Sequence, residues 1–596
     1  MKKTIFGILI LLLMIGCGKE KKNGTSENGK KTKENTFIMG SANFNGDFYY
    51  GWTNSAYDGY IRKLIWGGGL LSPTDKGELV IASFVEKKET YKSDPKKKSD
   101  DVWKFEIKNG MTFSNGDPLT AKDVKFTYDF YMDKEALNAT GGTSGLSEYI
   151  DRVELDEAKN SVTFYLKNPM YTVGSSIFFE NQSILDSTMI LAGVEKTGLS
   201  PQQWVKANIS TPIGYGPYKI EKYVESQYVK LGINENYQGN FEGDKASIDY
   251  LIIQNIPSET QITQLITGEV DGLVNLGNEE DIEAILATPT LSTNNYLRNG
   301  GGQFTFHTDF GPMQLPEVRK AFAYEFNRVK FRDIFLGKYA ISSNAPYSRN
   351  LWMMYDKGEN LGTEGKFEKS LTNYDIINAD GNWDKEANLR IAHKLLDQAA
   401  TRTDEAYAKL TKDGNGAYLW DGKQITLNIA TTPVWVDSLN LTLTKNIQDE
   451  FGIFVNIDSM DWSVLSKNLD GVIPLSERKY HAFTLGDSYG IQYDPYPSWS
   501  GTRVLPYGKG ASTNGSRYRS NEELLNSIRF SNPSTTEGKT MYKANWRKWI
   551  VEVNHSLPIL PLYSNNFYDA YTNKVVDFKT NALWEWPYAI VKAKFK

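Results

Sequence analysis

The sequence predicts an α/β protein of more than one domain, and three observations carry that prediction. A chain of 596 residues is too long for one hydrophobic core, so two to four domains are expected. Strand-like and helix-like stretches alternate along most of it. Val102 to Tyr131 condenses the alternation into one strand, one turn region and one helix. There Trp103, Phe105 and Ile107 alternate with Lys104, Glu106 and Lys108, the period of a strand with one buried face. Asn109-Gly110 and Asn115-Gly116-Asp117-Pro118 then turn the chain. Thr120 N-caps the helix with Asp123 as capping-box partner, and Val124, Phe126, Tyr128, Phe130 and Tyr131 are its apolar positions.

Taken in order, the chain opens with Lys2-Lys3, the apolar run Ile5 to Ile15, and Gly16 directly before Cys17, the only cysteine. This is the layout of a signal peptide, residues 1–16, that ends in a bacterial lipoprotein cleavage box with Cys17 as the lipidated residue. A signal anchor is the alternative, although the run is short for a bilayer span. A single cysteine leaves no disulfide. Gly18 to Asn35 is polar and rich in Lys, Gly, Asn and Ser, so residues 17–35 are expected to be the lipidated cysteine and a disordered tether. Its lysines suit an anionic membrane surface or a solvated spacer equally well.

Phe37 to Gly40 reads as the first strand, and Tyr60 to Leu71 as a helix with a Gly-rich stop. Ser161 to Leu166 is strand-like. Pro212 to Tyr218 is a turn; its Gly214 and Gly216 lack the third glycine of a dinucleotide fingerprint. Ile248 to Gln254 is a strand, and Ser258 to Asp271 a helix running into one. Gly300-Gly301-Gly302, within Arg298 to Phe306, marks a crossover between domains. Pro316 to Leu336 reads as one helix with Pro in its first turn. Leu351 to Trp383 looks like a polar insertion. An amphipathic helix follows from Asp384 with Ala387, Ile391 and Leu395 as its stripe. Strands at Ile425 to Ile429 and Phe454 to Ile457 flank a helix that ends at Gly452, and Ile559 to Asp577 closes the series.

Composition narrows function mainly by exclusion. The formal charge is −5 from 67 basic and 72 acidic residues, with no basic stripe for nucleic acid. Aromatic residues make up 13 % of the chain, which suits a core or a large cleft lined with rings. The four histidines, His307, His393, His481 and His555, are far apart and form no ligand pair, so no metal site and no cofactor are expected. No nucleophile elbow, Walker loop or catalytic cysteine is present, and no catalytic residue is assigned. Leu485 to Trp499 concentrates Asp487, Tyr489, Tyr493, Asp494, Tyr496 and Trp499 among turn residues; it is either an aromatic loop on a cleft wall or an exposed loop.

The wording of Val102 to Tyr131 resembles the signature region of the family 5 solute-binding proteins of ABC importers. The pattern W-x-F-x-(I/L)-(K/R)-x-G-x-x-(F/W)-(S/H)-(N/D)-G-x-P-(L/V)-T-A-x-D-V is met from Trp103 and Phe105 through Gly110, Phe113, Gly116 and Pro118 to Thr120, Ala121, Asp123 and Val124. Further matches are Pro212 to Tyr218, the run Leu265, Gly268, Glu269, Val270, Asp271, and Val318-Arg319-Lys320-Ala321 with Asn327-Arg328. The resemblance implies a periplasmic-binding-protein-like (type II) fold of two lobes with a hinge and three domains. Domain I would comprise 36–71, 206–298 and 559–596, domain II 72–205, and domain III 299–558. It also implies ligand-facing residues at Trp52, Thr53, Asn54 and Ser55, at Asn275, and in the later loop at Asp487, Tyr489, Asp494 and Trp499. In peptide-binding relatives an aspartate four residues before the loop proline meets the ligand amine. Here that count from Pro495 gives Ile491, and with a gap Asp487 or Asp494 would serve.

The function so implied is capture of oligopeptides or dipeptides by a monomeric, lipid-anchored protein facing the periplasm or cell exterior, which hands them to the permease subunits of an ABC importer. The alternatives are a same-scaffold binder of sugars, opines or metal chelates, a secreted enzyme such as a glycoside hydrolase, or an adhesin.

Overall fold

A computed structural model describes residues 35–596, except 43, 50–54, 98–99, 134–145, 168–178, 344–350, 352, 354, 357–358, 361–383, 470–472, 490–493, 500–521 and 532–534. Cys17, the tether as far as Glu34, Trp52, Thr53, Asn54, Tyr493 and most of the expected insertion therefore lie outside the described residues, while Asn35, expected to end the tether, is bonded to Ser247 and Tyr250.

The first part of the chain supplies β1 (Thr36–Ser41) and then β2 (Val85–Tyr91), β3 (Val102–Ile107), β4 (Ile150–Asp156) and β5 (Ser161–Leu166). The last four form their own antiparallel sheet in the order β2-β3-β5-β4. Next come β6 (Tyr218–Val224), β7 (Tyr228–Ile233), β8 (Tyr250–Asn255), β9 (Gly272–Leu276) and β10 (Leu291–Leu297). The second part supplies β11 (Gly300–Phe306), β12 (Ala340–Ser342), β13 (Thr426–Thr431), β14 (Phe454–Ser459), β15 (Ala482–Ser488) and β16 (Ile559–Thr572).

These strands join in one large sheet, ordered β14-β13-β15-β11-β16-β9-β1-β8-β7-β6, with β10 and β12 also paired to β16. The parallel pairs are β1 with β8 and β9, and β13 with β14 and β15. β16 belongs to both halves. Its start pairs with β11, from Thr305 opposite Ile559 to Gly302 opposite Tyr563. Its end pairs with β9 and β10, with Gly272 opposite Tyr571 and Leu297 opposite Asn566. The chain thus passes between the halves at Arg298–Asn299 and again inside β16.

Separate cores fill the two halves. In the first, Phe37, Ile61, Ile65 and Leu231 share a cluster with Phe105, Phe164 and Phe179, so the small sheet packs onto the same core. Trp103 stacks on Phe179 with ring centroids 5.1 Å apart. In the second, Phe304, Phe306, Phe322, Phe326, Leu427 and Ile429 form one cluster. A further cluster is built from Trp499, Tyr542, Trp546 and Trp549. Aromatic packing of this kind adds geometry to buried area.

The helices follow the sequence signals with three shifts. α1 (Ala56–Trp66) starts before Tyr60, because Ser55 caps it, and stops at Gly67 in the left-handed region, so Leu71 already belongs to the next strand. α2 (Ala121–Met132) begins where expected, with the Thr120 amide and hydroxyl both donating to Asp123 at 2.8 and 2.9 Å. α3 (Gln261–Thr267) leads into β9. The expected single helix from Pro316 to Leu336 is two, α4 (Pro316–Glu325) and α5 (Arg328–Leu336). Extended backbone at Phe326 buries its ring, and Asn327 caps α5 by accepting from the Lys330 amide at 2.9 Å. In α6 (Lys385–Ala400) the buried stripe is Asn388, Ala392, Leu396 and Ala399, one position on from the expected one, which lies along its margin. α7 (Thr444–Phe451) ends at Gly452 as expected. The glycines Gly300 to Gly302 lie inside β11 rather than in the crossover itself. α8 (Thr536–Ser556) and α9 (Trp586–Ala589) lie on either side of β16 in the chain.

Candidate functional site

Two polar clusters flank the passages between the halves. The first is built on the ends of β11 and β15. Gly300 pairs with Ser488 and Gly302 with Gly486. A Cβ at Gly300 would stand 1.8 Å from the Asp487 carbonyl, and one at Gly302 2.3 Å from the Tyr563 ring, so only glycine lets β11 lie this close to both neighbours. Arg298 ties the passage together. Its amide donates to the Asn565 carbonyl at 2.9 Å, its guanidinium donates to the Asp487 carbonyl at 2.9 Å, and it lies 5.1 Å from the Phe567 ring centroid. The Tyr489 amide donates to the Asn299 carbonyl at 2.7 Å, and the Asn299 side-chain amide returns to the Tyr489 carbonyl. The half-buried Asp487 carboxylate accepts from buried Gln303 at 2.6 Å and from the Tyr489 hydroxyl at 3.4 Å. This holds one rotamer of an acid at the strand end.

The second cluster forms where β9 meets β16. The pairing slips between Leu273 and Leu276, and Asn275 takes a left-handed φ of 61°. Asp569, fully buried on β16, holds that conformation by accepting from the Asn275 amide at 2.8 Å. It also accepts from the Tyr296 hydroxyl at 3.0 Å and the Thr580 hydroxyl at 2.5 Å. Burial pushes the Asp569 carboxyl up, against the pull of these hydrogen bonds. The Asn275 side chain donates to the Tyr60 hydroxyl on α1 at 2.7 Å. Burial raises the phenols of Tyr60 and Tyr296 still further above neutrality, where both are protonated. On the same helix Lys63 pairs with Glu585, and half-buried Glu180 beside them is pushed up to about 7, by burial first and then by the Glu585 charge, against the pull of Lys63.

The sequence-predicted residues divide accordingly. Asn275, Asp487 and Tyr489 stand at the two clusters. Ser55 is buried and used as a helix cap, accepting from the Asp58 amide at 3.3 Å. Asp494 does not join the group, since it is buried in an ion pair with Arg529 at 2.8 Å and caps the turn by accepting from the Tyr496 amide at 3.0 Å. Burial raises its carboxyl despite Arg529. Trp499 is core, 1 % exposed, with its ring 5.3 Å from that of Trp549. Tyr60, Tyr296, Gln303 and Asp569 were not anticipated. Asp569 is 294 residues from its Asn275 partner, and no local spacing announces such a contact.

Comparison with known proteins agrees with this architecture. The family model described as "Bacterial extracellular solute-binding proteins, family 5 Middle" matches residues 89–502. The oligopeptide-binding protein AppA of Bacillus subtilis (strain 168) is 30 % identical over 173 residues, which are 28 % of this chain and 29 % of that protein, so the aligned part spans less than a third of the relative. The solved structure of AppA from Bacillus subtilis in complex with a nonapeptide superposes with a TM-score of 0.72 at 19 % identity, over 95 % of this chain and 100 % of that one. NikZ from Campylobacter jejuni in complex with Ni(L-His) superposes with a TM-score of 0.67 at 17 % identity, over 94 % and 100 %. At these identities the superpositions establish the fold, which is that of type II periplasmic binding proteins.

Proposed function

The chain belongs to the family 5 bacterial extracellular solute-binding proteins, and from that premise we propose that it captures a peptide between the two halves of the sheet. The observation that carries this reading is the pairing of chemistries across the passages. A fixed carboxylate, Asp487, stands on one side, and an amide and hydroxyl pair, Asn275 with Tyr60, stands on the other. A carboxylate suits a ligand amine through a charge-assisted hydrogen bond, and amides and hydroxyls suit peptide groups. Closure about Arg298–Asn299 and the middle of β16 would bring the two together without any reaction.

On this reading Asn275, Asp487 and Tyr489 face the ligand, together with Trp52, Thr53 and Asn54 just ahead of α1. Asp569, Tyr296 and Gln303 orient them. Domain I comprises 36–71, 206–298 and 559–596, domain II is 72–205 and domain III is 299–558. The protein is a monomer held at the membrane by lipid on Cys17, facing the periplasm or cell exterior, and it delivers its ligand to the permease of an ABC importer.

The test begins with native mass spectrometry of ligand carried through purification, followed by titration calorimetry of the recovered peptide and its N-acetylated form. Asp487→Asn and N-acetylation should each weaken binding about ten-fold or more, the worth of one charge-assisted contact. Recovery of a sugar, an opine or a metal chelate in place of peptide overturns the peptide assignment. Turnover of peptides or glycans would overturn the binding role itself.

A further inference from the structure

At the end of the second half remote from the passages, where β11 ends at Phe306, β13 begins at Thr426 and β15 begins at Ala482, the surface opens into a cavity of about 460 Å³. Such a volume falls within the range of small-molecule pockets. β11 has seven residues, which puts this cavity roughly 20 Å from the Gly300 end at about 3.3 Å per residue.

The interior of the cavity has a defined polarity. His481 lines it and is itself 8 % exposed. Its Nδ1 accepts from the Asn428 amide at 3.1 Å, so in the neutral ring the proton sits on Nε2. Burial lowers the pKa of His481 to about 4, which keeps the ring neutral and Nε2 a donor at pH 7. That nitrogen faces Gly311, where a Cβ would stand 2.7 Å from it; Gly311 also has a φ of 55° that other residues rarely adopt. Any side chain at position 311 would therefore cover that ring edge. Phe310 packs against the imidazole with centroids 4.9 Å apart, and half-buried Trp420 lines another wall.

The charges around the cavity leave it cationic. The lining residue Asp309 is neutralised by Arg478 at 2.6 Å. Lys409 lies 3.5 Å from Asp421, while Lys423 has no ion-pair partner among the described residues. A hydrogen-bond donor, an uncommitted cation and two aromatic walls together fit an anionic head on an apolar body.

We propose that this cavity is a second ligand site, separate from the peptide site, for a small amphipathic carboxylate. The carboxylate meets His481 Nε2–H and Lys423, and the apolar body lies between Phe310 and Trp420. The site is independent of the peptide assignment, since it shares no residue with it.

The probes are 3-phenylpropionate and its neutral amide, titrated into the full-length protein and followed by Trp fluorescence and saturation-transfer NMR. Saturable binding of the carboxylate is expected, about ten-fold weaker for the amide and about ten-fold weaker in Lys423→Gln. Lys423 is exposed, so that variant keeps the fold, which circular dichroism checks. Gly311→Ala, which covers the imidazole edge, should abolish binding, and peptide affinity in Lys423→Gln should equal that of the wild type. The proposal is overturned by no saturation below about 10 mM, by equal binding of acid and amide, by equal binding to wild type and Lys423→Gln, or by loss of the probe in Asp487→Asn, which would place it in the peptide site.

Discussion

Glu325, the last residue of α4, makes stability depend on pH in a direction opposite to that of a paired acid. It is 1 % exposed, and neither carboxylate oxygen has a hydrogen-bond partner among the described residues. Among the described residues its charged neighbours are Glu450 of α7 and Lys385 at the start of α6, which lie 3.7 Å from each other. Burial first, and then the Glu450 charge, raises the Glu325 carboxyl from 4.5 to about 7, while Lys385 pulls it down; its place at a helix C-terminus acts in the same sense as burial. The folded protein therefore binds this proton more tightly than the unfolded chain. Its contribution is fully present below pH 4.5 and is lost as pH rises through about 7. At about 1.4 kcal/mol per pH unit, that difference corresponds to roughly 3 kcal/mol lost between pH 5 and 8. Glu325→Gln keeps the volume and removes the proton. Urea unfolding at pH 5, 6, 7 and 8 should show the variant gaining on the wild type by about that amount as pH rises. Parallel stability curves for the two proteins would refute the reasoning, because a constant offset reports only the exchange of side chains.

Other outcomes follow from the same geometry. Asp494→Ala leaves Arg529 buried without its partner and should cost about 3–5 kcal/mol in thermal or urea unfolding; a stable variant that no longer binds peptide would return Asp494 to the ligand face. Gly302→Ala drives a methyl into the Tyr563 ring and should cost about 1–3 kcal/mol. Combining it with Tyr563→Ala should recover part of that loss, and strictly additive losses would count against the contact. Cys17→Ala should move the protein from the membrane fraction to the soluble fraction, and continued metabolic lipid labelling in that variant would defeat the anchor assignment.

What could be read from the sequence was what neighbouring residues decide. The strand, turn and capped helix from Val102 to Met132 stand as expected because alternation, Asn-Gly turns and the Thr120–Asp123 pair act within a few residues of one another. The break at Phe326–Asn327 was not readable, since the apolar pattern continues through it. The decision is made by the second core, which takes the Phe326 ring, and by the cap that Asn327 then offers. At the candidate site, Asn275 could be placed only through the family resemblance, and Asp487 through that resemblance and its place in a polar, aromatic loop. Their supports, Asp569 and Gln303, become neighbours only after β16 has threaded the sheet and β11 has paired with β15. Asp494 shows the converse. As one acid in a polar, aromatic loop it resembled a ligand group, and its commitment to Arg529, 35 residues on, is a fact of packing.

The position of β16 also constrains how the chain is made. β9 was completed at Leu276 and β11 at Phe306, yet the strand that lies between them begins only at Ile559. At roughly 5–20 residues per second, a ribosome needs about ten seconds to a minute to cover that interval. Throughout it, β9 and β11 each present an unpaired backbone edge to whatever is nearby, which is the condition that invites strand addition by the wrong partner. A nascent chain that ends before Ile559 would therefore be an aggregation hazard rather than a half-working binder. Holding the chain unfolded until its C-terminus is available would remove that hazard.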